Sequence, residues 1–236
     1  MKPLGVEIIA VHVIALDGPA GVGKSTTAKR LAERLGYYFF SSGMIYRAMA
    51  WHLLSQGWRA ESGAPPAERL EAALATLDVN VTAGGRVWVG GRDVTEALRD
   101  DAVSHAASVL SAVPAVRARS NLIQRNTVAR IGATGAYPGV VLEGRDIGTV
   151  VFPEARHKFF LTAREEVRAQ RRFAEQRETD PGASLGTVRN ALQERDARDS
   201  GRAIAPLVPA PDARIVDTSD LNLEQVLDRI LTDLKG

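Results

Sequence analysis

The feature that most constrains this chain is a glycine-rich turn between a buried strand and a helix. Residues 18–25 are GPAGVGKS and match the pattern G-x-x-x-x-G-K-[ST]. The apolar, β-branched run over residues 8–16 predicts a strand buried on both faces, as in a parallel sheet. After the turn, apolar residues recur at helical spacing and predict a helix over 25–35 that ends at Gly36. Strand, turn and helix in this order predict an α/β fold built around a phosphate-binding loop.

The chemistry of such a loop is direct. Its glycines let backbone N–H groups surround phosphates, and the helix N-terminus adds positive potential. Lys24 is expected to reach the transferred phosphate, and the Ser25 hydroxyl to ligate Mg²⁺ beside ATP. The plain alternative is a glycine-rich turn with a surface lysine. The residues predicted to bind ATP are Gly18, Pro19, Ala20, Gly21, Val22, Gly23, Lys24, Ser25 and Thr26.

Strands and helices alternate along the rest of the chain. The predicted class is α/β: a three-layer, P-loop NTPase-type parallel sheet of about five strands with helices on both faces, plus a small inserted antiparallel β subdomain and a helical lid. Further strands are predicted over 37–40, 139–142, 158–161 and 214–216. Helices are predicted over 44–54, 67–77, 101–112, 115–131, 164–177, 185–198 and 222–234.

One segment departs from this alternation. Valines alternate with other residues over 79–89 across the turn Ala83-Gly84-Gly85, which indicates a hairpin. A Gly-, Ser- and Pro-rich stretch over 55–66 precedes it and suggests a boundary. We therefore expect a core over 1–60 and 101–236, with a lid at about 164–202, and an inserted antiparallel subdomain over 61–100.

Composition narrows the function classes. The chain has 236 residues and no cysteine, which excludes disulfide and thiolate-metal sites, and its four histidines lack metal-ligand spacing. No apolar run approaches the length of a membrane span, and no secretion signal is evident, so a cytoplasmic protein without a membrane partner is expected. A net charge of +2 is too weak for a nucleic-acid coat, and a monomer is the default.

The placement of the arginines is more informative than their number. Of 25 arginines, 11 lie between Arg145 and Arg202. The total is consistent with codon bias in a GC-rich genome, but the clustering suggests a local anionic partner. Three groups of residues are candidates for binding it. The first is Ser41–Arg47 at a helix start, where Ser41 and Ser42 are expected to cap the helix, and the second is Glu143–Asp146 after a buried strand. The third is Glu194–Arg202, where Arg195, Arg198, Asp199 and Arg202 share one face if the helix continues. Each group also has an ordinary structural interpretation: a capped helix, a loop ion pair and a solvated, salt-bridged face.

These features favour a small-molecule kinase that holds two polyanions away from water. A regulatory GTPase should carry an N-K-x-D element, which this sequence lacks. Two alternatives remain open at this point. One is a kinase of another nucleoside monophosphate or of a small alcohol, and the other is a non-enzymatic P-loop module that grips RNA with its arginines.

Four stretches carry a family resemblance over nearly the whole chain: IALDGPAGVGKST, YYFFSSGMIYRA, EGRDIGTVVFP and ERDARDSGRAIAPLVPAPDARIVDTS. They resemble bacterial cytidylate kinases, P-loop enzymes of pyrimidine nucleotide metabolism. The resemblance implies transfer of the γ-phosphoryl group of ATP to CMP or dCMP with Mg²⁺. It also implies a P-loop kinase core over 1–60 and 101–236 and a monophosphate-binding subdomain over 61–100. It assigns monophosphate binding to Ser42, Arg47, Ser108, Arg117, Arg145, Asp146, Arg195, Asp199 and Arg202.

Roles follow from that assignment. Asp146 and Ser108 can accept from the cytosine 4-amino group while Arg117 donates to N3 or O2. Arg47, Arg145 and Arg202 suit the α-phosphate, and Asp199 with Arg195 suits the ribose. The residues implied in catalysis are Lys24, Arg145, Arg195 and Arg198, with Arg171 and Arg172 as further candidates. Two positions depart from the family pattern: Glu143, where Asp is frequent and where a water or the metal's outer shell is expected, and Ser25, where many members have Gly.

Overall fold

The computed structural model describes residues 11–82, 85–178 and 180–235. The first residues of the strand predicted over 8–16 lie outside the described residues. So do Ala83 and Gly84 of the predicted hairpin turn, and Thr179 in the loop between two predicted lid helices.

A five-stranded parallel sheet forms the centre of the molecule, in the order β2-β6-β1-β7-β8. The register places Leu16 of β1 beside Glu143 of β6 on one side and Phe159 of β7 on the other. The predicted parallel α/β sheet is therefore confirmed. Its strands are β1 His12–Asp17, β2 Tyr38–Ser41, β6 Gly139–Glu143, β7 His157–Thr162 and β8 Arg214–Asp217.

Both faces of the sheet are covered, because the side chains of β1 alternate between two apolar clusters. Val13 and Ala15 pack in one cluster with helices α2, α4 and α5, whereas Ile14 and Leu16 pack in the other with α1 and α8. This is the three-layer arrangement that the sequence predicts. The helices are α1 Lys24–Leu35, α2 Ser42–Ser55, α3 Ala67–Ala75, α4 Asp101–Leu110, α5 Pro114–Thr134, α6 Glu165–Arg177, α7 Leu185–Ser200 and α8 Leu223–Lys235.

The hairpin segment forms a small antiparallel sheet, as predicted, with one further strand. Its strands are β3 Val79–Val81, β4 Val87–Val89 and β5 Arg92–Asp93. The Tyr38 hydroxyl donates to the carbonyl oxygen of Val81 over 2.7 Å, and the valines of this sheet join the apolar cluster of α2 and α5. The segment is thus packed onto the core, and its treatment as a separate monophosphate-binding subdomain stays a prediction.

The predicted lid consists of α6 and α7, which pack together over Ala20 of the P-loop. α7 ends at Ser200, so the helix does not continue to Arg202, which was the condition for Arg195, Arg198, Asp199 and Arg202 to share one helical face. Two short 3₁₀ turns, Ala60–Ser62 and Ala97–Arg99, and a π-helical turn over Ile147–Val151 were not predicted. No helix in the described part of the chain is long and apolar enough to cross a bilayer.

Candidate active site

A cavity of 440 Å³ lies at the carboxyl ends of β1 and β6. Open α/β sheets bind ligands at this edge, where neighbouring connections leave in opposite directions. The P-loop and α1 form one side of the cavity. The N-terminus of α2, helices α4, α5 and α7 and the loop after β6 form the other side.

The P-loop is folded tightly against the lid. Gly21 has a φ of 77°, and a Cβ there would lie 2.9 Å from the backbone oxygen of Arg168 in α6. The Nζ of Lys24 donates to the carbonyl oxygen of Pro19 over 2.6 Å, and the lysine side chain is buried. Burial and, next, the nearby charge of Arg145 lower the pKa of Lys24. Glu143 and Asp17 oppose this shift without cancelling it, and an anion bound at this point would further stabilise the charged lysine.

Oxygen atoms gather beside the P-loop helix. The Ser25 Oγ donates to Glu143 Oε1 over 3.0 Å, and the Ser41 hydroxyl donates to the same carboxylate oxygen. The Ser41 side chain is therefore engaged with Glu143, and α2 begins without the hydroxyl cap that the sequence suggests. Hydroxyl and carboxylate oxygens suit Mg²⁺, which keeps several waters and shares nucleotide phosphates. No group of three His, Cys, Asp or Glu side chains within the described ranges is placed to hold a metal by itself.

The structure brings the predicted acceptor-side residues together around one cavity. All nine residues that the resemblance assigns to the monophosphate line it. Six of the nine predicted ATP-binding residues also line it, whereas Gly18, Pro19 and Val22 do not. The cavity-lining members of the P-loop are Ala20, Gly21, Gly23, Lys24, Ser25 and Thr26.

One wall of the cavity contains a buried ion pair between Arg117 and Asp146. Both residues are almost fully buried, at 3% and 4% exposure, and the Nη2 of Arg117 donates to the carboxylate. Arg117 Nη1 also donates to the carbonyl oxygen of Ser111 over 3.0 Å. Burial raises the pKa of Asp146, although Arg117 and Arg202 oppose this shift. A buried pair of this kind presents both an acceptor and a donor to a ligand edge.

A second carboxylate, Asp199, lies between two arginines. Arg145 Nε donates to it over 2.9 Å, and Arg202 donates to its other oxygen. Arg202 also donates to the Ser111 hydroxyl over 2.7 Å, so this arginine remains in the site although it lies beyond the end of α7. Burial opposes ionisation, but Arg145 and Arg202 outweigh it and lower the pKa of Asp199. Asp199 therefore fixes two cations at the cavity wall.

Two further arginines in the cavity feel carboxylates only at longer range: Glu143 acts on Arg47, and Asp199 acts on Arg195. Neither Arg47 nor Arg195 makes a hydrogen bond or an ion pair with any described residue. Burial lowers the pKa of both arginines. For Arg195, burial and the nearby charge of Arg145 together lower the pKa to about 10. In total, eight cationic side chains line the cavity against four carboxylates. Such an excess is stable only when anions occupy the cavity or water reaches it.

Some predicted residues lie at the margin. The side chain of Arg198 is 40% exposed, and its Nε donates to the Ser108 hydroxyl over 3.3 Å. Arg171 points away, donating to the Oγ1 and carbonyl oxygen of Thr218, whereas Arg172 lines the cavity. Reasoning from the sequence missed Tyr46, which is buried in the cavity wall. Its position one residue before Arg47, on the same helix start, was the available signal.

Comparison with known proteins agrees with this geometry. The model of the cytidylate kinase family matches residues 14–236. A cytidylate kinase of Desulfitobacterium hafniense is 40% identical over 221 residues, 93% of this chain and 90% of that protein. One of Streptomyces griseus is 42% identical over 226 residues, 95% and 93% of the two chains. An uncharacterized protein from Eubacterium ventriosum, 11% identical with a TM-score of 0.50 over 95% of this chain and 99% of its own, shares the fold.

Proposed function

The chain belongs to the cytidylate kinase family, and we propose that the cavity described above holds ATP at the P-loop and CMP or dCMP among the arginines. The enzyme is a (d)CMP kinase: it moves the γ-phosphoryl group of ATP to CMP or dCMP, giving ADP and CDP or dCDP. The resemblance first given by four sequence stretches is confirmed over 93% or more of the chain. The arrangement of the two substrates within the cavity is the proposal.

The observation that carries the arrangement is the excess of cations on two sides of one cavity. Among the described residues, Lys24 hydrogen-bonds only to a backbone carbonyl on the P-loop side, and Arg47 and Arg195 make no hydrogen bond or ion pair on the other. Two separate polyanions, placed end to end, would neutralise both sets. Arginine suits the acceptor side because its planar, permanently charged fork binds phosphate in two places.

The Arg117–Asp146 pair and Ser108 are proposed to select the base. A carboxylate and a hydroxyl can accept from the cytosine 4-amino group, while a guanidinium donates to N3 or O2. Uracil has an oxygen at position 4, so an acceptor would face an acceptor in a buried site. Such a mismatch leaves buried polar groups unpaired, which is costly.

The transfer itself needs positioning and charge neutralisation. A phosphate oxygen of CMP attacks the γ-phosphorus of ATP in line, forming one P–O bond as the bond to the β–γ bridging oxygen breaks and ADP leaves. Lys24, Arg145 and Arg195 stabilise the charge on the transferring group, with Arg198 as an outer member of the lid. No general base is required, because the attacking oxygen is already anionic.

Mg²⁺ fits the oxygen set of Ser25 and Glu143. The serine hydroxyl is the proposed protein ligand, and Glu143 is placed to hold a coordinated water. When bound, the ion supplies neutralisation of the β- and γ-phosphate oxygens. We further propose a monomer in the cytoplasm that works without a nucleic-acid or membrane partner.

An assay of ADP release tests the proposal. ATP and Mg²⁺ are held fixed while CMP, dCMP, UMP, AMP and shikimate are compared as acceptors. We expect CMP or dCMP to give the highest kcat/KM by at least about tenfold over UMP. Preference for AMP, UMP or shikimate would reassign the acceptor side, and tight, salt-sensitive RNA binding without acceptor-dependent turnover would support the binding module instead.

A further inference from the structure

A buried carboxylate lies directly before the P-loop and has no role in the reaction described above. Asp17 is the last residue of β1 and only 5% exposed. Its Oδ1 accepts from the backbone N–H of Ile147 over 2.9 Å, and its Oδ2 accepts from that of Gly148 over 2.8 Å. Both amides belong to the segment that follows Arg145 and Asp146, so one side chain holds the loop that carries two acceptor-side charges.

The main chain of β1 holds the other end of the same loop. The N–H of Gly144 donates to the carbonyl oxygen of Leu16 over 2.9 Å. From there the chain leaves the sheet and enters the π-helical turn over Ile147–Val151. Regular strand pairing cannot continue past this point, and Asp17 supplies the acceptors for the first two amides of the turn.

We propose that Asp17 is a positioning residue: its ionised carboxylate holds the loop over 144–148 so that Arg145 and Asp146 face the acceptor side. The proposal rests on the function proposed above, since it concerns the same acceptor side. Two N–H donors need two acceptor oxygens, which only the ionised carboxylate offers without conflict. A protonated oxygen, or the amide nitrogen of an asparagine, would place a donor against one of the two N–H groups.

The surroundings of Asp17 raise its pKa into a range in which the folded enzyme can be titrated. The charged groups that act on it are Asp146 in the loop after β6 and Lys24 in α1. The aliphatic stem of Lys158 packs against Gly148, where an added Cβ would lie 3.1 Å from the Lys158 Cδ. Burial raises the pKa of Asp17 to about 6, with the charge of Asp146 acting in the same direction and the two N–H groups and Lys24 opposing. The loop should therefore loosen as the pH falls through about 6.

The first test is Asp17→Asn, with Asp217→Asn as a matched control. Asp217 also ends a strand of this sheet and also accepts a backbone N–H, from Ser219 over 2.8 Å, but it is exposed and does not line the cavity. We expect Asp17→Asn to raise the KM for CMP about tenfold and to leave the KM for ATP within about twofold, as one buried hydrogen bond is lost on the acceptor side. The control should change neither.

The second test needs no variant. In the free wild-type enzyme, the amide resonances of Ile147 and Gly148 should titrate with an apparent pKa near 6, and Asp17→Asn should abolish this transition. Affinity for cytidine should fall with the same midpoint. Cytidine is used because the phosphate of CMP itself titrates near pH 6.

Three results would overturn the inference: an unchanged KM for CMP in a folded Asp17→Asn enzyme, equal rises in the KM for CMP and for ATP, or wild-type amides that do not titrate. If the variant does not fold, the wild-type titrations decide. A wild type that never uses CMP or dCMP would instead overturn the proposed function, while the amide titration would still report on Asp17.

Discussion

The P-loop side and the arginine side of the cavity are built in opposite ways. The P-loop side comes from nine consecutive residues, 18–26, which follow β1 and run into the first turn of α1, and its proposed binding groups are backbone N–H groups and Lys24. The arginine side is assembled from α2, α4, α5, the loop after β6 and α7, and its ligands are charged side chains that neutralise one another in part. The first depends on local backbone shape, and the second on long-range packing and charge balance.

The largest effect is expected from replacing Lys24, whose ammonium group gives the P-loop side its positive charge. Lys24→Ala should lower kcat by about 10²–10³-fold, because a buried cation at the transferring phosphate is lost. Steady-state ADP release measures this, and circular dichroism confirms the fold. Retention of near-full turnover would show that backbone groups alone suffice, and the contrast between the two sides would then be sharper than proposed.

Two glycine substitutions should affect the two sides of the cavity independently. At Gly21 a Cβ would lie 2.9 Å from the Arg168 backbone oxygen, and at Gly144 it would lie 2.6 Å from the Ser42 Oγ. Gly21→Ala should raise mainly the KM for ATP, and Gly144→Ala mainly the KM for CMP, each on the order of 10–100-fold because the ligands move by a fraction of an ångström or more.

The readout is the ratio of the two KM values in each variant, which cancels general losses of active enzyme. Opposite ratios in the two variants would support two independently built sides. The same ratio in both would mean that P-loop and loop 144–148 move as one unit.

A smaller effect, on stability, is expected from the charge balance of the arginine side. Asp199→Asn removes the shared counterion of Arg145 and Arg202 and should cost about 3 kcal/mol at pH 7. Because the pKa of Asp199 in the folded protein lies below its ordinary value of 3.8, the stabilisation is present above about pH 4 and is lost as the pH falls below it. The gap in Tm between wild type and variant should therefore narrow toward pH 3.

Asp220→Asn is the matched control, since Asp220 also pairs with an arginine, Arg164, but is exposed to solvent. Its Tm should stay close to that of the wild type at every pH. Saturating CMP should also recover part of the Asp199→Asn loss, because the substrate phosphate replaces the missing anion. If Asp199→Asn and Asp220→Asn changed the Tm by the same amount at every pH, charge balance would not stabilise the acceptor side.

The contrast between the two sides also explains what the sequence could predict. The P-loop, β1 and α1 follow from a contiguous pattern, and the parallel sheet follows from alternation of apolar strands and helices. The partnership of Arg117 with Asp146 joins residues on α5 and after β6, and no local spacing encodes it. Those residues were named through resemblance to a family, and only tertiary packing shows that they pair.

Local sequence also gave too little information to predict where some elements end or how the chain turns after them. Arg202 would share a face of α7 with Arg195 only if the helix continued, but the helix ends at Ser200 and Arg202 turns back to Asp199. The π-helical turn after Asp146 has no local sequence signature, since it depends on the Asp17 carboxylate from a distant strand. A lone carboxylate ending an apolar strand was the one signal that pointed to it.

The central claim is that the arginine side selects cytosine through the buried Arg117–Asp146 pair. Asp146→Asn keeps the volume but turns one acceptor into a donor, which suits the position-4 oxygen of uracil. The direct measurement is the ratio of kcat/KM for CMP to that for UMP in wild type and variant, by ADP release at fixed ATP. We expect the ratio to fall at least about tenfold in Asp146→Asn, and an unchanged ratio in a folded, active variant would contradict the account.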